Sequence, residues 1–132
     1  MSETTVKKGL EGVVVDDTAI SKVMPEINAL VYHGYPVQDL ADMCTFEEVA
    51  YLMWHGELPT KQQLEAFQKE ERKRRKISAD CQKVIELYPK HAHPMDTVRT
   101  GVSYLGLEDE RIWDNSPKTN YDKSLNLMAK IP

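Results

Sequence analysis

The sequence predicts a mainly α-helical protein with a short β-hairpin near its N-terminus. Two observations predict the helices: apolar residues recur at helical spacing through most of the chain after residue 36, and two capping boxes mark helix starts. A cluster of β-branched residues before residue 24 predicts the hairpin. The chain has 132 residues, which suits one domain with a real core.

Composition narrows the class of protein. Hydrophobic residues make up 41% of the chain and charged residues 29%, with a net charge of −4, so the chain as a whole does not resemble a nucleic-acid binder. No apolar run is long enough to span a membrane, and the polar start lacks a signal core. Two isolated cysteines, Cys44 and Cys81, fit a reducing compartment. We therefore expect a cytoplasmic protein.

The N-terminal part is predicted to be extended. Val13–Val15 and Thr18–Val23 are read as two strands that turn at Asp16-Asp17. The following stretch "PEINALVYHGYPV" is interpreted as irregular or extended because of its prolines and glycine. We treat residues 1–35 as an N-terminal extension and residues 36–132 as a helical domain.

Capping boxes predict the starts of two helices. Thr45 and Glu48 open one helix, which Gly56 ends, and Thr60 and Gln63 open the next, a surface helix. Three further helices are predicted: one after Pro36, one from Ser78 and one near Ser116-Pro117.

The stretch "HAHPMDTVRTGVSYLG" could be a metal site or a helix entrance. Zinc needs three or four ligands, and His91 and His93 have no third partner in the pattern. Pro94 suits the first helical position, and Asp96 complements the positive end of the helix. We therefore predict a helix entrance. The buried stripe of this helix is predicted to end before Gly106 and to contain Met95, Val98, Val102 and Leu105.

Two other features could carry function. The run Lys69–Lys76 has six basic and two acidic residues, which suggests a phosphate, RNA or CoA contact, but no aromatic residues interleave with it and it ends a helix. Trp54 and His55 stand at the end of another helix, where such a pair can line a pocket or simply pack.

Three segments, in this order and spacing, resemble the N-terminal part of the citrate synthase family, and most of all its bacterial 2-methylcitrate synthase branch. They are "GLEGVVVDDTAISKVMPEINALVYHGYPVQDLA", "CTFEEVAYLMWHGELPT" and "HPMDTVRTGVSYLG", and the resemblance runs from Gly9 to Pro132. It implies the large helical domain of that family and a homodimer. It also implies an acyltransferase that condenses propionyl-CoA or acetyl-CoA with oxaloacetate. We expect no cofactor, metal, nucleic-acid or membrane partner.

The resemblance assigns no catalytic residue to this chain. The family's two catalytic histidines and its aspartate lie beyond the position of Pro132, so we expect a truncated, inactive segment. Where the family usually has Tyr-Arg-Gly, this chain has Tyr32-His33-Gly34, and histidine cannot replace the permanent charge and donor fork of arginine. His33 and His55 are the candidates for substrate binding. The alternative is a stand-alone helical interaction module without catalysis.

Overall fold

The computed structural model describes residues 8–132 and confirms a mainly α-helical protein. It forms two compact units that divide between Thr60 and Lys61. The domain boundary expected after residue 35 lies at a different position and stays a prediction. The helices are α1 Val37–Met43, α2 Phe46–His55, α3 Lys61–Arg74, α4 Ala79–Glu86, α5 Pro94–Leu107 and α6 Pro117–Lys130. The strands are β1 Ser21–Met24, β2 Ala29–Tyr32 and β3 Tyr35–Pro36, with short 3-10 helices at Lys8–Leu10 and Pro25–Ile27.

The first unit contains a three-stranded antiparallel sheet in the order β1-β2-β3. The hairpin predicted at Asp16-Asp17 was wrong, because residues 13–18 take up no regular structure. The first hairpin instead pairs Ser21 with Tyr32 and Met24 with Ala29, and the 3-10 helix connects the strands. The extended character predicted for "PEINALVYHGYPV" is confirmed, since β2 and β3 both lie in it.

The second hairpin of the sheet has a two-residue loop, His33-Gly34, between the paired residues Tyr32 and Tyr35. Both loop residues have positive φ, 47° and 90°. A type I′ turn needs positive φ at both of its central positions, because only then does the loop follow the twist of the strands. His33 is therefore held in a backbone conformation that is unusual for a residue with a side chain.

Helix α2 follows the capping chemistry of its sequence. The Glu48 N–H donates to the Thr45 hydroxyl, and the Thr45 N–H donates to the Glu48 carboxylate at 2.7 Å. Leu52 is fully buried on its inner face. The helix ends at Gly56, which has a φ of 81° and donates its N–H to the Leu52 carbonyl at 2.8 Å. Both predicted ends of this helix are confirmed.

The second unit consists of two packed helix pairs, α3 against α6 and α4 against α5. Helix α3 begins directly after Thr60, as predicted, and buries Phe67. The hydroxyls of Ser78 and Ser116 cap α4 and α6 by accepting backbone N–H groups. The core of this unit is small, and its buried apolar residues are Phe67, Cys81, Leu125 and Ala129.

The predicted buried stripe of α5 was wrong in part. Met95 is 64% exposed and Val98 is 39% exposed, while Val102 and Leu105 are only partly buried. Gly106 also does not stop the helix, which continues through Leu107 to a C-cap at Glu108. The apolar period was identified correctly, but Met95 in the first turn of the helix is mostly exposed.

Replacing Gly56 by alanine should destabilise the protein by about 1–2 kcal/mol, because a Cβ in the left-handed region is strained. Space does not limit the change, since the nearest atom to that Cβ is in the His33 ring at 3.8 Å. Urea denaturation followed by circular dichroism measures the loss. Gly101→Ala is the matched control in the interior of α5, where alanine should instead stabilise by about 0.5–1 kcal/mol. Equal effects of the two changes would contradict the backbone argument.

Candidate functional site

One of the two histidines proposed as substrate-binding candidates, His33, lies beside Gly56, the residue that follows the other. His33 lies in the turn between β2 and β3. Its Nδ1 is 3.8 Å from the position that a Cβ atom on Gly56 would occupy. The backbone N–H of His33 donates to the Ile20 carbonyl at 2.9 Å, which fixes the turn. The His33 Nε2 atom is buried and has no hydrogen-bond partner among the described residues.

His55 is the last residue of α2, and its side chain packs on an aromatic ring. The ring centroids of Tyr51 and His55 are 4.0 Å apart and tilted by 34°. Such a contact orients the plane of the imidazole against the tyrosine ring. A histidine acts as general base only when it lies within hydrogen-bond reach of the proton that it takes. The roles of His33 and His55 in substrate binding stay predictions.

His93 caps α5, and His91 lies in the exposed turn before it. The Met95 N–H donates to the His93 Nδ1 at 3.2 Å, so this imidazole is the side-chain cap of α5. Asp96 lies in the first turn and pairs with Arg99 at 3.1 Å. The predicted helix entrance is confirmed. Across residues 8–132, no group of three or more histidine, cysteine or acidic side chains is placed to hold a metal ion.

Three of the six basic side chains in the run Lys69–Lys76 form ion pairs within the fold. Lys73 and Arg74 both bond to Glu70, at 3.2 and 2.9 Å, and Arg75 bonds to Glu71 at 2.8 Å. The hydrogen bond from Lys73, followed by that from Arg74, lowers the pKa of Glu70. The run therefore has an evident structural use as a series of pairs along one helix. A search of the described helices for one long and apolar enough to cross a membrane finds none.

Arg74 makes the main polar connection of the second unit. Its guanidinium, only 23% exposed, donates to Asp122 at 2.6 Å and to Asn126 at 2.9 Å, both on α6. Arg111 donates to the other oxygen of the Asp122 carboxylate at 2.9 Å. Hydrogen bonds from the two guanidinium groups, Arg74 first, hold the pKa of Asp122 below its ordinary value. The carboxylate therefore stays ionised and joins α3, α6 and the loop between α5 and α6.

A second carboxylate organises the start of α6. Asp114 accepts the Thr119 hydroxyl at 2.7 Å and the Ser116 N–H at 2.9 Å. These bonds, the Thr119 hydroxyl first, lower the pKa of Asp114 to about 2. Lys123 donates to the backbone carbonyls of Ile112 and Asp114 and so closes the same loop. The loop is built by side-chain hydrogen bonds where apolar packing is sparse.

Two open clefts lie along α5 in the second unit. One has a volume of about 480 Å³ and runs between α5 and α6 beside Ile112. The other has about 200 Å³ and runs between α4, α5 and the end of α6. Val102, Leu105 and Lys130 line both clefts, so they continue into each other.

Two buried polar side chains were not anticipated from the sequence. Glu71 is buried, and its Oε2 has no hydrogen-bond partner among the described residues. The Tyr88 hydroxyl oxygen is likewise buried without a described partner, near Gly101 and the smaller cleft. Glu71 lies one helical turn after Phe67, so the spacing predicts its place on the inner face of α3. Tyr88 lies seven residues after the buried Cys81, so the same spacing indicated that its side chain is directed inward.

Arg74→Ala should lower the free energy of unfolding by about 2 kcal/mol, because it removes charge-assisted bonds and leaves Asp122 without one of its two cations. Guanidinium chloride should be avoided because it screens charges, so urea is the denaturant of choice. Arg99→Ala is the matched control, since Arg99 pairs only at an exposed site and its loss should cost less than about 0.5 kcal/mol. Similar losses for both variants would contradict the connecting role of Arg74.

The stabilising effect of ionised Asp114 should disappear in acid. Its folded pKa of about 2 lies below the ordinary value of 3.8, so folding favours the ionised form. That contribution is complete above about pH 4 and is lost as the pH falls through about 2. Melting temperatures between pH 5 and pH 2 should therefore fall less steeply in Asp114→Asn than in the unchanged protein. Thr119→Val removes the largest cause of the shift and should also flatten the profile; unchanged slopes would refute this assignment.

Comparison with known proteins connects these features to a family. Residues 9–132 match the family model described as "Citrate synthase, C-terminal domain". A citrate synthase of Mycolicibacterium smegmatis is 55% identical over 96% of this chain and 34% of its own length. A 2-methylcitrate synthase of Mycobacterium tuberculosis is 50% identical over 96% of this chain and 32% of its own.

The fold agrees with that match. The crystal structure of citrate synthase from Pyrobaculum aerophilum superposes with a TM-score of 0.81 at 33% identity, and the alignment covers 92% of this chain and 33% of that one. The chain spans about a third of the length of the relatives that it matches. The chain belongs to the citrate synthase family.

Proposed function

We propose that the chain forms the N-terminal, non-catalytic segment of an enzyme that condenses propionyl-CoA or acetyl-CoA with oxaloacetate. One observation carries the proposal: proteins named citrate synthase and 2-methylcitrate synthase are 55% and 50% identical to nearly the whole chain. The complete enzyme would act as a cytoplasmic homodimer and would form 2-methylcitrate from propionyl-CoA or citrate from acetyl-CoA.

The chemistry of the described residues supports the non-catalytic part of the proposal. Condensation requires a base that removes the α-proton of the thioester and donors that stabilise the resulting enolate. His93 is occupied as a helix cap, and the His33 Nε2 is enclosed. The acidic groups with lowered pKa values, such as Asp114 and Asp122, are held ionised by structural hydrogen bonds and are poor proton acceptors.

The extent of the match supports the view that the segment works as part of a larger protein. The relatives are about three times as long as the matched region, so the chain has the length of one third of such an enzyme. Its position at the N-terminal end of the family polypeptide rests on the resemblance of its motifs. The choice between the two acyl-CoA substrates stays open within the proposal, because both enzyme names occur among the relatives.

The purified chain alone should release no CoA thiol from propionyl-CoA or acetyl-CoA in the presence of oxaloacetate. The physical reason is the missing base and enolate donors. A thiol-reactive dye follows free CoA, and the M. smegmatis citrate synthase serves as the positive control under the same conditions. Turnover by the pure chain above the uncatalysed rate would overturn the non-catalytic assignment.

A covalent fusion of the chain to the part of the M. smegmatis relative outside the aligned region tests the positive half of the proposal. The fusion should restore thiol release that depends on oxaloacetate. A well-folded fusion without activity would favour the stand-alone interaction module. Substituting His33→Arg in an active fusion then tests the departure from the family's Tyr-Arg-Gly, with His55→Gln as the companion substitution. A change in the KM for oxaloacetate would support a substrate role for that position.

A further inference from the structure

A four-residue linker joins α3 to α4 in the second unit. It consists of residues 75–78, which take up no regular structure. Arg75, Lys76 and Ser78 in this linker are exposed. An exposed segment without regular backbone hydrogen bonds can adopt the extended conformation that a modifying enzyme requires of its substrate. The linker therefore presents the Ser78 hydroxyl to an enzyme in solution.

The residues before Ser78 give it an unusual charge environment. Five basic residues in succession, 72–76, precede it, with Arg75 three positions and Lys76 two positions before the serine. The run Lys69–Lys76 has six basic and two acidic residues, a net charge of +4, in a chain whose net charge is −4. Arg75 pairs with Glu71, and 56% of its side chain stays exposed. Kinases select substrates by such charge patterns, and this pattern fits a kinase with an acidic substrate cleft.

The Ser78 hydroxyl connects two helices. It accepts the Cys81 N–H at 2.9 Å, which caps α4, and it donates to the Glu108 carboxylate at 2.5 Å. Glu108 is the C-cap of α5. One hydroxyl therefore joins the start of α4 to the end of α5, and a change in its charge acts on both helices.

A second capping serine provides a comparison. Ser116 is exposed and caps α6 by accepting the Thr119 N–H, in the way that Ser78 caps α4. The two residues before Ser116 are Asp114 and Asn115, so the basic pattern does not occur there. Both serines share the helix-cap position, and the basic run is what distinguishes Ser78.

We propose that Ser78 is a phosphorylation site for an ATP-dependent serine kinase with an acidic substrate cleft. In the transfer, the Ser78 Oγ forms a bond to the γ-phosphorus of ATP, and the bond from that phosphorus to the β–γ bridging oxygen breaks. ADP leaves with the electron pair of that bond, and the hydroxyl proton passes to the base of the kinase. The proposal needs only the described chain and is independent of the proposed function.

Phosphorylation would turn the attraction between Ser78 and Glu108 into a repulsion. The modified side chain loses its O–H donor and carries about −1.5 to −2 charges at pH 7. It then faces the Glu108 carboxylate, and like charges this close repel each other. The phosphate oxygens still accept the Cys81 N–H at the positive end of α4. Modification therefore keeps the cap of α4 and breaks its link to α5.

Phosphorylation of the folded chain tests the site. The probe is the catalytic subunit of cyclic-AMP-dependent protein kinase with MgATP, a kinase that selects basic residues before its serine, and mass spectrometry locates the phosphate. One phosphate is expected on Ser78 and none in Ser78→Ala. The double substitution Arg75→Ala and Lys76→Ala should slow the reaction about tenfold or more, because charge-assisted contacts with the kinase are lost. Ser116→Ala is the matched control and should leave the rate unchanged.

A synthetic peptide of residues 69–82 separates the sequence pattern from the fold. The peptide and the folded chain should react at rates within about tenfold of each other, since an exposed linker opens at little free-energy cost. A reactive peptide with an unreactive chain would show that the fold withholds Ser78. An unreactive peptide would show that the pattern does not attract such a kinase. Phosphate spread over several serines would show attack on the unfolded chain, and each of these three results overturns the proposal.

The consequence for α4 and α5 has its own measurement. The phosphorylated chain should melt about 4 °C below the unmodified chain, a shift of the size expected for the loss of one charge-assisted hydrogen bond. In Glu108→Gln the phosphate meets no like charge, so the same modification should lower the melting temperature by less than about 1 °C. An equal shift in the two proteins would exclude Glu108 as the group that the phosphate repels.

Discussion

The second unit depends on the hydrogen bonds that the guanidinium of Arg74 donates. They run from the last turn of α3 to Asp122 and Asn126 on α6. Asp122 also accepts a hydrogen bond from Arg111 in the preceding loop. Few apolar side chains are fully buried in this unit, so the position of α6 is set as much by directed hydrogen bonds as by packing. A planar donor fork suits this task, because it fixes two acceptors at once.

Directed hydrogen bonds and helix packing share the task of holding the unit together. Asp122 joins α3, α6 and the loop at residues 108–116, while α5 packs against α4 and the Ser78 hydroxyl donates to Glu108 at the end of α5. Charged hydrogen bonds fix the direction of each contact, so the helices keep one arrangement although few apolar side chains are fully buried.

The sequence was most informative where structure is decided locally. The helix starts at Thr45, Ser78 and Pro94 were predicted correctly, since the start of a helix depends on residues within one turn. The hairpin at Asp16-Asp17 was misplaced because β-branched residues indicate extended backbone but do not choose a partner strand. The loop His33-Gly34 between tyrosines was the better turn signal, since glycine accepts positive φ readily.

Other features could not be read from the sequence, because they join distant residues. Arg74 and Asp122 are 48 positions apart, and nothing local in either helix indicates their pairing. The same limit applies to the candidate site. His33 and His55 were chosen for their chemistry, and only the fold shows that the His33 ring lies over the end of α2. The exposure of Met95 was missed because periodicity identifies which face is apolar and not what covers it.

The apolar side chains exposed on α5 and on the loop after it have a consequence for the chain in solution. Met95, Leu107 and Trp113 are all more than half exposed. Exposed apolar surface of this kind promotes aggregation of partly folded chains at micromolar to millimolar concentrations. The amount of chain that stays dissolved is therefore set by its concentration as well as by its stability.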